Sequence, residues 1–135
     1  MANTKSIGVA FLDQDIVGAD QVFVNSTLGY TTDGQGAVTQ ATSKSTAVTL
    51  NKSMGQITTN AASLAATTNV TFTLNNSLLS AKDVIVLNVN GGTTGAYNVY
   101  TSVLGAGSAS ITLRNITANP LAEALVLNFA IIHAQ

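Results

Sequence analysis

The chain has 135 residues, of which 46% are hydrophobic and only 8% charged, with a formal net charge of −1; a single domain of that length buries roughly two-thirds of its unfolded surface and supports a core without staples. The basic residues Lys5, Lys44, Lys52, Lys82 and Arg114 are scattered, which excludes the electrostatic footprint of a nucleic-acid partner and of a basic membrane-surface helix. Cysteine is absent, which removes disulfides, thiolate metal sites and cysteine nucleophiles together, while so little charge favours association over mutual repulsion.

Residues 1–36 read differently from the rest. "IGVAFL" follows Lys5, is interrupted by Gly8 and is closed by acids, a pattern that does not fit a secretory signal. "DQDIVG" opens like a calcium loop, with Asp13, Asp15 and Gly18, but Val17 and Val24 stand where oxygen ligands belong, so a solvated turn is the better reading. The apolar residues Ile7, Val9 and Phe11, then Val22, Phe23 and Val24, precede the regular strand pattern and have no place in its alternation. They are the expected partner-binding residues of an N-terminal arm; the rival reading makes them one or two additional strands of the same sheet.

From residue 37 to 135 the chain becomes a series of strand-like runs. "AVTLN" and "GQITT" are short members. "VTFTL" alternates cleanly, placing Val70, Phe72 and Leu74 on one face and Thr71 and Thr73 on the other. "DVIVLNVNGG" is apolar and β-branched at nearly every position, predicting a strand buried on both faces. "AYNVYTSVL" and "SASITLRNI" flank "GAGS" and read as a hairpin. "EALVLNFAII" alternates Leu125, Leu127, Phe129 and Ile131 with Val126, Asn128, Ala130 and Ile132. "NAASLAATTN" offers at most one helical turn, and Pro120 falls between strands, where it harms no ladder. Turn signals recur every 8–12 residues or so, which predicts an all-β fold: an antiparallel β-sandwich or jelly-roll-like domain with an N-terminal arm. No window approaches the 18 or so apolar residues of a membrane-spanning helix.

Chemistry is sparse. The single histidine, His133, is expected at a strand end on the surface. Asp83 and Glu123 each open a strand, an ordinary location for an exposed charge, and no two of Asp13, Asp15, Asp20, Asp33, Asp83 and Glu123 stand out as a hydrolytic pair. "NGGTTG" lacks the Lys-Ser/Thr of a phosphate loop and reads as a turn. Tyr97 and Tyr100, three apart, project from opposite faces of a strand and do not form one carbohydrate platform. Glycosylation-type tripeptides at Asn25, Asn51, Asn69, Asn75 and Asn115 arise by chance in such a composition. No catalytic residue, cofactor or metal is expected, and the chain does not read as an enzyme.

The stretches "GAVTQATSKSTAVTLNKSMGQITTNAASLAATTNVTFTLNNS", "DVIVLNVNGGTTGAYNVYTSVLGAGSASITLRNITA" and "LAEALVLNFAII" together resemble a β-rich module of tailed-bacteriophage virion surface proteins. The resemblance runs from about Ala37 to Ile132, with a departure at Asn119–Pro120, where a Gly-Ser pair is commoner. It implies a structural virion protein assembled in the host cytoplasm, most naturally a capsid decoration or cement protein on the outside of the major capsid protein shell. A homo-oligomer is implied, a trimer being the natural guess. The alternative is a small head- or tail-fibre or knob protein whose Thr- and Asn-rich loops contact a host glycan. Neither nucleic acid nor membrane is an expected partner.

Overall fold

A computed structural model describes residues 20–134, which form two packed four-stranded sheets. After an irregular lead and a 3-10 turn at Thr32–Gly34, the strands are β1 (Gln35–Thr39), β2 (Val48–Thr49), β3 (Met54–Thr58), β4 (Asn69–Asn75), β5 (Val84–Gly91), β6 (Tyr97–Gly105), β7 (Ser108–Asn115) and β8 (Val126–Ile132). One sheet has the order β1-β3-β8-β5 and the other β2-β4-β7-β6. The expected all-β sandwich is what the chain forms.

The alternation read in the sequence sets the core. Phe72 and Leu74 of β4, Ile111 and Leu113 of β7, and Leu127, Phe129 and Ile131 of β8 point between the sheets and are buried, with Leu125 and Ile57 beside them. Burial of each such side chain contributes roughly 1.5–3 kcal/mol. β6 and β7 form the expected hairpin, closed at the Gly105–Ser108 pair by Ala106 and Gly107. Gly107 adopts φ +78°, the left-handed backbone that tight hairpin loops require. Leu64 and Leu121 form an antiparallel bridge across the long loops, and "NAASLAATTN" contains that bridge followed by a turn at Ala66–Thr67 rather than a helix.

Two expectations are corrected. β5 is an edge strand, not one buried on both sides: its inward Ile85 and Leu87 pack on the core, while Val84 and Val86 face solvent. An uninterrupted β-branched run does not distinguish a central strand from an edge strand with an apolar outer face. The sheets are also mixed rather than purely antiparallel, because β1 pairs with β3 and β2 with β4 in parallel. The physical reason is the chain path. The odd-numbered strands β1, β3 and β5 lie in one sheet and β2, β4 and β6 in the other, so each connection crosses the sandwich. A strand reached after two such crossings runs in its predecessor's direction, whereas a direct hairpin would reverse it.

Candidate functional site

The outer face of the β1-β3-β8-β5 sheet carries contiguous apolar side chains towards one end, with Gln56, Asn128 and Asn88 abreast further along. Register brings Met54 beside Ala130, Ala130 beside Val86, and Ile132 beside Val84. Val84 is 56% exposed and Ile132 60% exposed. The lead into β1 crosses the same face: the Tyr30 hydroxyl donates to the Ile131 carbonyl, and Leu28, Gly29 and Tyr30 line a shallow groove with Ala130, Ile131 and Ile132. A second groove of about 460 Å³ lies on this face between β1, β3 and β8, floored by Met54, Gln56 and Asn128. The whole band holds no charged side chain among these residues. Single exposed apolar residues are unremarkable, but contiguous ones mark contact surfaces.

Of the expected partner-binding residues, Val22, Phe23 and Val24 lie in irregular chain and are exposed, Phe23 at 87%. Ile7, Val9 and Phe11, like Asp13 and Asp15, lie outside the described residues. No strand precedes Gln35 among the described residues.

The opposite outer face carries a hydroxyl network beside exposed Val103 and Arg114. Thr71 Oγ1 and Thr112 Oγ1 are 2.8 Å apart, Thr112 Oγ1 donates to Ser102 Oγ at 3.0 Å, and Ser102 Oγ donates to the Ser110 carbonyl at 3.2 Å. Ser102 is the extra residue of a bulge in β6. Tyr100 lies on this wet face, whereas Tyr97 is buried inward, so the two tyrosines do project oppositely.

At the end of the sandwich that carries the β5–β6 turn, a polar cluster ties loops together. Lys44 is buried, and its Nζ donates to the carbonyls of Asn60 (2.5 Å) and Glu123 (2.6 Å). Burial lowers its pKa, with Glu123 opposing. Gln40, also buried, donates from Nε2 to the Lys44 and Thr46 carbonyls and accepts from the Asn60 N–H. Glu123 Oε1 accepts from the Thr93 N–H and the Tyr97 hydroxyl, both at 3.0 Å, and the Thr93 bond foremost lowers the carboxyl's pKa. Desolvation, together with the Glu123 acceptor, pushes the Tyr97 hydroxyl up to about 12. "NGGTTG" is a turn, as expected, and lines a groove of about 340 Å³ from Asn90 to Gly95.

At the other end, Asp83 corrects the expectation of an exposed strand-opening charge: its side chain is 1% exposed. Its Oδ2 accepts from the Ser80 N–H at 2.9 Å, and its Oδ1 from the Ser80 hydroxyl and the Ala134 N–H, each at 2.9 Å. The Ser80 and Ala134 backbone donors hold its carboxyl well below the ordinary carboxylate range. His133 Nδ1 lies 3.1 Å from Asp83 Oδ2, and His133 Nε2 lies 3.4 Å from Ser53 Oγ. His133 is at the surface as expected, with a 40% exposed side chain; its two partners were not legible, because residues 53, 83 and 133 meet only through strand order. Glu123 and Asp83 sit at opposite ends of the β5–β8 pair, since Val84 pairs with Ile132 and Gly91 with Val126, so these two acids do not form a hydrolytic pair. Among the described residues no cluster of three His, Asp or Glu side chains suits a metal ion, and no described helix is long and apolar enough to cross a membrane.

The fold defines a two-sheet, mixed β-sandwich with a contiguous apolar band on one outer face and a hydroxyl network on the other. No protein family, curated protein or solved structure compared with the chain matches it.

Proposed function

We propose that this chain is a structural protein of a tailed-bacteriophage particle, of the capsid decoration or cement type, bound to the outside of the major capsid protein shell. The observation that carries the reading is the uncharged apolar band of Met54, Val84, Val86, Ala130 and Ile132, bordered by Leu28 and Tyr30. Such a face suits a partner whose contact surface is itself neutral, with shape and apolar burial supplying the affinity. The segment carrying Val22, Phe23 and Val24 extends the contact as an arm. The near-neutral charge and the sequence resemblance to virion surface modules support the same reading. The protein acts by adding buried area between neighbouring shell subunits, and many copies, grouped as homotrimers, act together through multivalency. Its place is the virion, after assembly in the host cytoplasm.

The test is copy number per particle, measured by quantitative mass spectrometry of purified virions against the major capsid protein. Hundreds of copies are expected. A handful would favour a fibre or knob role instead, for which the exposed Thr93 and Thr94 beside the Asn90–Gly95 groove would be the host-glycan surface; absence from virions would overturn both.

A further inference from the structure

Three strands bring three distant residues to one end of a sheet. Ser53 immediately precedes β3, Asp83 immediately precedes β5, and His133 immediately follows β8, which lies between those two strands. The Ile131 N–H donates to the Ser53 carbonyl at 2.8 Å, fixing the serine's backbone against β8.

The hydrogen-bond chemistry of the cluster has a direction. Asp83 is solvent-inaccessible and accepts from Ser80 and from the Ala134 N–H, so it is an ionised, acceptor-only carboxylate. Its neighbour Nδ1 of His133, at 3.1 Å, must therefore carry a proton. In the neutral ring that leaves Nε2 as the lone-pair nitrogen, and Nε2 is the atom facing Ser53 Oγ at 3.4 Å. Nucleophile, base and orienting acid follow one another in the arrangement that activates serine hydroxyls on unrelated folds. A separation of 3.4 Å is ordinary for such a pair before substrate arrives.

We propose that Ser53 is an acyl-accepting nucleophile, with His133 as its general base and Asp83 as the residue that positions the imidazole. The substrate class is an unhindered, activated carboxylic ester. Ser53 Oγ attacks the carbonyl carbon while its proton passes to His133 Nε2. The tetrahedral adduct expels the alkoxide or aryloxide, which takes that proton from the imidazolium. Ser53 is left as an ester, and water deprotonated by the same Nε2 releases the carboxylic acid and restores the hydroxyl. Ser53 is half-buried and the His133 side chain is 40% exposed, so a small ester in solution can reach the pair. The proposal is independent of the particle-assembly reading, because it requires no partner.

The test treats the full chain with p-nitrophenyl acetate and follows both nitrophenolate release and acetyl groups by peptide mass mapping. Acetylation is expected on the Ser53 peptide well ahead of the exposed Ser45 and Ser77. Ser53→Ala removes the labelled site. His133→Gln lowers the rate by about 10²-fold or more, and as the side chain is part-exposed the melting temperature of each variant reports whether the fold is kept. Acetylation of Ser53 no faster than of Ser45 and Ser77 overturns the proposal, as does an unchanged rate in a folded His133→Gln chain. Should His133→Gln fail to fold, the order of labelling in the wild-type chain decides alone, and Ser53 no faster than Ser45 and Ser77 overturns the proposal.

Discussion

At the residue scale, the asparagines do more than colour a neutral surface. Asn115 and Asn76 are fully buried. Asn115 Nδ2 donates to the carbonyls of Leu64, Ala65 and Asn119, and its Oδ1 accepts from the Thr117 N–H and hydroxyl. One side chain thus satisfies groups in two loops that carry no ladder of their own. Asn115→Ala is expected to lower unfolding free energy by about 3 kcal/mol, read from urea denaturation. In sequence, Asn115 and the surface asparagines look alike; only the meeting of loops 64–65 and 117–119 separates them. Asp83 makes an acid-side prediction. Because its folded pKa is depressed, its contribution is complete above about pH 4 and is lost as pH falls through the lower folded value. Asp83→Asn should weaken the chain at neutral pH and flatten that acid limb in a pH series of melting curves. Tyr97 acts at the other extreme. With its hydroxyl raised to about 12, its contribution is intact below pH 10 or so and is lost as pH climbs through about 12. The Lys44 amine, depressed by burial, works oppositely, its penalty fading as pH rises towards the ordinary lysine value. Tyr97→Phe should therefore remove the decline on the alkaline side, which melting temperatures across that range will show.

At the element scale, β4, the β6–β7 hairpin and β8 were legible because period-two alternation and a glycine turn state both the strand and its buried face. β5 was legible as a strand but not as an edge, since Val84 and Val86 carry the same apolar signal as Ile85 and Leu87. The turn after β5 shows how local backbone needs are written in glycine. Gly92 has φ +113°, and a Cβ there would lie 2.1 Å from Leu125 Cδ2; Gly95 has φ +73° but nothing within 4 Å of its would-be Cβ. Gly95→Ala should cost about 1 kcal/mol of backbone strain. Gly92→Ala adds a clash with a fully buried leucine and should cost about 2–3 kcal/mol. Thermal denaturation of the two single variants separates conformational strain from overpacking.

At the scale of the whole molecule, the two outer faces predict different responses to substitution. Val84→Ser, Val86→Ser and Ile132→Ser together should lower the melting temperature by only several degrees, as these side chains are about half exposed. They should weaken retention on particles, measured as copies remaining after virions are washed in salt. The strand order was the least legible part of the fold, because alternation within a strand says nothing about which sheet the next strand joins. That order has a consequence for biosynthesis. β8 lies between β3 and β5, so their sheet has no centre until the residues from Val126 onward have left the ribosome. The other sheet can close sooner, around the β6–β7 hairpin, but its apolar inner face then waits uncovered. A chain stopped before Val126 is expected to stay protease-sensitive and chaperone-bound rather than to fold in part. Because most strand pairings join distant stretches of chain, the completed sandwich forms slowly, and this interleaved path makes folding a late event that tests whether β8 has been made.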